Sequence, residues 1–150
     1  MKVSSLMFML KPDYIVGLVD GEGSFTAYVR DFNQPKNVKR RARIEPKFFL
    51  KLIERDKVIL EKLKKYFGCG QVYFQKDSRA NHQNCYRFEV SNRLNLEKVI
   101  VPFFKKNQLL LPSKAKDFKI FCQLMDGIKA GEHLNQKGLD RLYRLKQKMH

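Results

Sequence analysis

YIVGLVDGEGSFTAYVR, residues 14–30, changes its period halfway along. Pro12 and Asp13 stand just ahead of it and are good first-turn helix residues. With the apolar run behind them they predict a short helix from Pro12 to Gly21. From Ser24 onward the pattern alternates: Phe25, Ala27 and Val29 face one way and Ser24, Thr26, Tyr28 and Arg30 the other. That is the signature of a strand with one apolar and one polar side. The join holds Gly17, Gly21 and Gly23 together with two acids, Asp20 and Glu22. Glycine inside a helix costs about 1 kcal/mol relative to alanine, so its presence asks for a reason. Gly17 and Gly21 fall one helical turn apart, and small residues at that spacing let two helices meet backbone to backbone. If the second helix is the same one from another copy, a two-fold axis runs between them. The acids at the helix ends would then lie side by side, and paired carboxylates there suit Mg²⁺. Taken alone, Gly21-Glu22-Gly23 reads equally well as a helix end and a tight turn into the strand.

Beyond this stretch the alternation returns. In RARIEPKFFLKL, Ala42, Ile44, Phe48, Leu50 and Leu52 share one face, and Arg41, Arg43, Glu45, Lys47, Phe49 and Lys51 share the other. Pro46 inside it predicts a bulge or an edge position. Asp56 can cap a helix over KVILEKLKKYF that the glycines after Phe67 end. Two further strands follow, QVYFQKD and CYRFEVS, joined by a polar loop. Asn95 can cap a helix over LEKVIVPFF, Ser113 opens another over KAKDFKIFCQLMDGIKAG, and LDRLYRLKQKM forms the last. Helix, two strands, helix, two strands, helices: the expected fold is α+β, a four-stranded antiparallel sheet with helices on one face.

With 150 residues, one domain is expected. Its 31 Lys and Arg against 15 acids give a net charge of +16, a surplus that points to a polyanionic partner, most simply nucleic acid. No stretch approaches the roughly 20 apolar residues that span a bilayer, and MKVSSLMFML lacks the length and cleavage site of a secretion signal. An intracellular protein of the cytoplasm or an organelle matrix is therefore expected, without a membrane partner. Cys69, Cys85 and Cys122 are scattered, with no C-x-x-C pair, and are expected to be buried thiols rather than zinc ligands. The uncovered sheet face is the expected reading surface: Ser24, Thr26, Tyr28, Arg30, Arg41, Arg43, Lys47 and Lys51 from two strands, and Gln71, Tyr73, Gln75 and Arg87 from the others. Lys and Arg neutralise phosphates, while Arg and Gln can pair bidentately with guanine and adenine. Carboxylates and a metal set against a polyanion fit phosphodiester hydrolysis.

IVGLVDGEG resembles the motif of the LAGLIDADG homing endonucleases in the single-motif form that acts as a homodimer. LKLIERDKVILEKLKKYFGCGQVY and LPSKAKDFKIF fall in that family's order and spacing, and GEHLNQKGLDRLYRLKQKM is similar to its C-terminal part. The resemblance implies an αββαββα fold and a Mg²⁺-dependent DNA endonuclease (Mn²⁺ being possible) that makes staggered double-strand breaks in intron homing. It also implies the roles of single residues. Glu22 and the Gly21 carbonyl would bind the metal, Glu standing where Asp is common, and Glu54 at the base of the second strand would hold metal-bound water. Lys114, with Lys116 behind it, would stabilise charge on the phosphate. Ile15, Gly17, Leu18 and Gly21 would form the dimer interface, and Asp20 would serve the helix end. LMDGIKAGEH echoes the motif, but Lys129 interrupts it and no alternating strand follows, so it is expected to be a helix end and loop. His82 and His133 have no ligand-spaced partners. The alternative is a non-cleaving binder of the same fold, an RNA maturase or a regulator. A basic ribosome-associated protein would explain the charge but not the motif.

Overall fold

The computed structural model describes residues 9–31, 43–76, 79 and 83–150; Arg41 and His82 lie outside them. Helix α1 (Pro12–Glu22) passes directly into strand β1 (Gly23–Val29), followed by β2 (Ile44–Ile53), α2 (Lys57–Phe67), β3 (Gln71–Gln75) and β4 (Cys85–Val90). Arg93–Asn95, a π turn over Leu96–Ile100 and Val101–Lys106 continue as one helix, α3, before α4 (Pro112–Lys129) and α5 (Gln136–Lys146). The sheet is antiparallel throughout in the order β1-β2-β4-β3. The expected α+β architecture is the one observed.

The alternation works as the sequence requires. Along β1 and most of β2, buried residues take turns with half-buried ones. Phe25, Ile44, Phe48, Leu50 and Phe88 on the inner side are fully buried. Phe25 is the centre of the core, its ring 5.0 Å from Phe48, 5.4 Å from Phe104 on α3 and 5.0 Å from Phe118 on α4. Such tilted and edge-on pairs add to the burial term. Among the described residues the helices thus cover one side of the sheet and leave the other without secondary structure over it.

Pro46 sits in regular register opposite Ala27 without a bulge. Pairing of β2 with β4 begins only at Phe48, so on that flank Pro46 is at a local edge, where its missing N–H costs nothing. Arg93 Nη2 closes the gap by donating to the Ile44 carbonyl at 2.9 Å.

The helix starts differ from expectation in three places. Asp56 makes no side-chain cap; a 3₁₀ turn over Glu54–Asp56 feeds the chain into α2 instead. Asn92, not Asn95, caps α3, its Oδ1 accepting the Asn95 N–H at 3.0 Å. Helix α4 starts at Pro112, a residue suited to the first helical position, ahead of Ser113. Asn135 caps α5 by accepting the Gly138 N–H. Gly68 ends α2 in the left-handed region, at φ 68°, as expected of a glycine there. The LMDGIKAGEH segment is a helix end and turn, with Lys129 paired to Glu97 at 3.1 Å. The Lys129 hydrogen bond and charge hold the Glu97 carboxyl below its ordinary value. All three cysteines are free; Cys85 is buried, and burial pushes the Cys122 thiol up to about 11. Among the described residues no helix is long and apolar enough to cross a membrane.

Candidate functional site

Helix α1 has two faces. Ile15, Val16, Val19 and Asp20 are buried, while Tyr14, Gly17 and Gly21 are exposed and Leu18 is half-buried. Residues 14, 17, 18 and 21 follow the i, i+3, i+4, i+7 spacing of a helix stripe. Ile15 therefore departs from the interface expected for it: it is wholly buried in this chain's own core, because the helix period turns it inward with Val19. The three glycines also part company. A Cβ on Gly23 would come within 2.6 Å of the Val19 side chain and 2.9 Å of its carbonyl, so close approach demands glycine at the helix-to-strand turn. A Cβ on Gly17 or Gly21 would meet nothing within 4 Å. Among the described residues nothing requires these two to be small.

Asp20 faces the other way and anchors the start of α4. Its carboxylate accepts the Leu110 N–H at 3.0 Å and the Leu111 N–H at 3.3 Å, serving amides that no side chain of α4 caps. Asp20→Ala strands these donors in a nearly buried setting. It is expected to lower the unfolding free energy by about 3 kcal/mol, read from urea denaturation. A loss below about 1 kcal/mol would mean that water replaces the carboxylate.

Glu22 ends α1, exposed and, among the described residues, without a hydrogen bond or ion pair. Lys114, near the start of α4, donates from Nζ to the Gly23 carbonyl, which brings an ammonium to the peptide next to Glu22. Lys116 is exposed elsewhere on the same helix. Glu54 does not continue the Leu50 and Leu52 face as expected. Strand β2 stops at Ile53, and Glu54 opens the 3₁₀ turn, where it lines a small polar pocket with Arg55, Gln83 and Asn84. The donors at the end of α1 are hard oxygens: the Glu22 carboxylate and last-turn carbonyls, Gly21 among them, that a helix leaves without amide partners. Such a set fits Mg²⁺ or Ca²⁺ rather than a thiophilic metal. Among the described residues no three His, Cys, Asp or Glu side chains form a cation-holding group.

The uncovered sheet face starts at Glu22. Gly23 pairs with Leu50, so the next row outward is Lys51, Arg87 and Tyr73, register partners across three strands. Above it run Ser24, Phe49, Glu89 and Gln71, then Thr26 beside Lys47 and Tyr28 beside Glu45. Gln75 closes the face beside Cys85. Arg30 follows β1, its amide bonded to the Arg43 carbonyl. Arg43 is exposed, but Nη1 is tied to the Leu134 carbonyl at 2.9 Å. Nearby, burial first and then the charges of Arg93 and Arg43 hold His133 below its ordinary value, which keeps it neutral at pH 7. Glu89 escapes the sequence reading although it shares parity with Arg87 in CYRFEV. It stands at the middle of the face, accepting from the Tyr73 hydroxyl at 3.2 Å and paired with Arg87 at 2.9 Å and Lys47 at 3.7 Å. The Arg87 guanidinium lies 3.5 Å over the Phe49 ring.

Known proteins share this fold. The family model of the LAGLIDADG endonucleases matches residues 15–125. The chain belongs to the LAGLIDADG endonuclease family. It is 30% identical over 134 residues to a probable intron-encoded endonuclease 2 of Neurospora crassa, covering 89% of this chain and 28% of the relative. It is 33% identical over 96 residues to a probable intron-encoded DNA endonuclease 1 of Mycosarcoma maydis, covering 64% of this chain and 31% of that protein. The chain thus spans about a third or less of these curated relatives. Among solved structures, the homing endonuclease I-TnaI superposes with a TM-score of 0.77 at 35% identity, over 94% of this chain and 88% of that one. I-SmaMI bound to uncleaved DNA in the presence of calcium ions gives 0.77 at 30% identity, over 94% of this chain and 45% of that one. The LAGLIDADG motif here is the stretch that makes α1 and its turn.

Proposed function

We propose that this LAGLIDADG protein is a homodimeric, site-specific endonuclease of double-stranded DNA. It works as one intracellular domain, depends on Mg²⁺ (with Mn²⁺ a possible substitute) and leaves staggered ends during the homing of an intron or similar element. The observation that carries the reading is the open stripe of α1, where Gly17 and Gly21 cost helix stability without a reason among the described residues and lead straight to the exposed Glu22. A second copy laid along Gly17, Leu18 and Gly21 supplies that reason and brings a second Glu22 alongside. Exposed Tyr14 adds apolar area on the same stripe.

In this reading Glu22 and the Gly21 carbonyl hold the divalent cation. When bound, that cation supplies Lewis-acid polarisation of the phosphoryl group. Lys114 contributes a positive charge beside the scissile phosphate, and Glu54 orients water from the flank. The strand ribbon lies in the major groove, as two-stranded β-readers do. Ser24, Thr26, Tyr28, Lys47, Lys51, Gln71, Tyr73, Gln75 and Arg87 face the bases and backbone, Arg30 and Arg43 extend the footprint at the rim, and Arg41 is assigned to DNA on the sequence pattern alone.

Cleavage of a randomised duplex library with and without Mg²⁺ tests the proposal: discrete sites cut only with the cation are expected. Sequence-selective binding without cutting would make the protein a non-cleaving member of the fold. Binding should also be strongly salt-dependent, with log K falling against log salt at a slope of about −5 or steeper, as for six or more neutralised phosphates. A nearly flat dependence would mean that the +16 charge is not engaged with DNA.

A further inference from the structure

An acid at the centre of a face that must approach phosphates is a cost unless a base repays it. Glu89 is only 17% exposed at its side chain, and three partners converge on Oε1: the Tyr73 hydroxyl by a hydrogen bond, and Arg87 Nη2 and Lys47 Nζ as ion pairs. Among the described residues no hydrogen bond reaches Oε2. Burial first, and after it the Glu89 charge and hydrogen bond, hold the Tyr73 phenol above its ordinary value against the opposing pull of Arg87. Tyr73 therefore stays a donor at neutral pH. Arg87 does not need Glu89 to stay in place, because its guanidinium already rests on Phe49. The arrangement is a carboxylate held by one hydrogen bond and two ion pairs on Oε1, with no hydrogen bond on Oε2, next to an arginine with donors to spare.

Building on the DNA reading above, we infer that Glu89 and Arg87 together read a single C·G base pair in each half-site. Glu89 accepts from the cytosine amino group, and Arg87 donates to the paired guanine. In the major groove cytosine shows an amino donor alone, while guanine shows two acceptors. A carboxylate beside an arginine matches that donor-then-acceptor edge. Adenine also offers an amino group, but the N7 acceptor next to it repels a carboxylate. Glu89 is thus a specificity-determining residue, and Tyr73 is a positioning residue that holds it.

The test is selection of bound DNA from a randomised duplex library in a chelator, so that nothing is cut, with sequencing of what is retained. Wild type is expected to enrich cytosine at one position per half-site by about tenfold. Glu89→Gln should move that preference to adenine, whose amino and N7 groups suit an amide, and leave other positions alone. Tyr73→Phe should weaken the same preference severalfold without changing the base. Two results overturn the inference: Glu89→Gln leaves every position as in wild type, or it weakens all sequences equally, as loss of a merely structural ion pair would. An adenine preference in wild type at the position that Glu89→Gln alters also overturns it. A wild-type protein that selects no sequence at all removes the DNA reading itself, which is a distinct failure.

Discussion

Glu22→Gln is expected to leave a protein that binds its DNA site nearly as tightly as wild type and cuts it at least about 100-fold more slowly, the loss typical of removing one transition-state contact. The two halves of that outcome have separate causes. Glu22 is exposed and has no partner among the described residues, so an isosteric amide breaks nothing that holds the fold. The cations of the sheet face are untouched, and with them the phosphate contacts that dominate affinity. What is removed is a charged oxygen ligand at the end of α1, and a neutral amide is a poor replacement for a hard divalent cation. Affinity measured by titration and cleavage measured under single turnover separate the terms, because a lost ground-state contact would show in binding and a lost metal ligand in the chemical step. A variant that cuts near the wild-type rate would put the metal at other residues and leave Glu22 as a helix-end acid.

How far the sequence alone reaches is clear from particular residues. The strands are legible because one face of each is buried: a period of two in SFTAYV and in IEPKFFLKL has only one arrangement that hides Phe25, Phe48 and Leu50. Gly68 is legible as a helix end because the left-handed turn there is a local need. Features fixed by distant parts of the chain are not. The partners of Asp20 are the amides of Leu110 and Leu111, and no local pattern announces a contact so far along the chain. Asn92 and Asn95 are both competent caps; the structure uses Asn92, and local sequence does not rank them. Glu54 is misplaced by extending the β2 alternation one step too far, past the point where the chain turns into the 3₁₀ segment. Ile15 shows a finer limit. The motif helix is apolar on both sides, so composition does not say which apolar residues face the core. The 3.6-residue period settles that only once Val19 and Asp20 are known to point inward. Glu89 is missed for the opposite reason: its position is plain, but an acid among cations passes for background.

Gly17→Leu should change two measurements in opposite directions, and the sign of each follows from the same open space. Within one chain a Cβ at Gly17 meets nothing within 4 Å, and the position is helical. Replacing glycine with a good helix former there should raise subunit stability by roughly 0.8–1 kcal/mol. Between chains the effect reverses. If two α1 helices cross at Gly17 and Gly21, their backbones approach closely only because both positions lack side chains, and an isobutyl group must push them apart. The subunits then separate, and the two Glu22 sites no longer straddle one stretch of duplex. A largely monomeric protein whose isolated subunit is more stable than that of wild type, with weak DNA binding and no double-strand cleavage, is expected. Thermal unfolding followed by circular dichroism, at dilutions where wild type is also monomeric, reads the first effect, and sedimentation at concentrations where wild type is dimeric reads the second. The pairing of signs is what makes the variant informative. A general packing defect would lower both stability and association. If the glycines served merely as a helix end, the added side chain would stabilise the fold and leave the dimer and its cleavage as they were. Stabilisation of the subunit together with loss of the dimer is the outcome that an interface built on Gly17 requires.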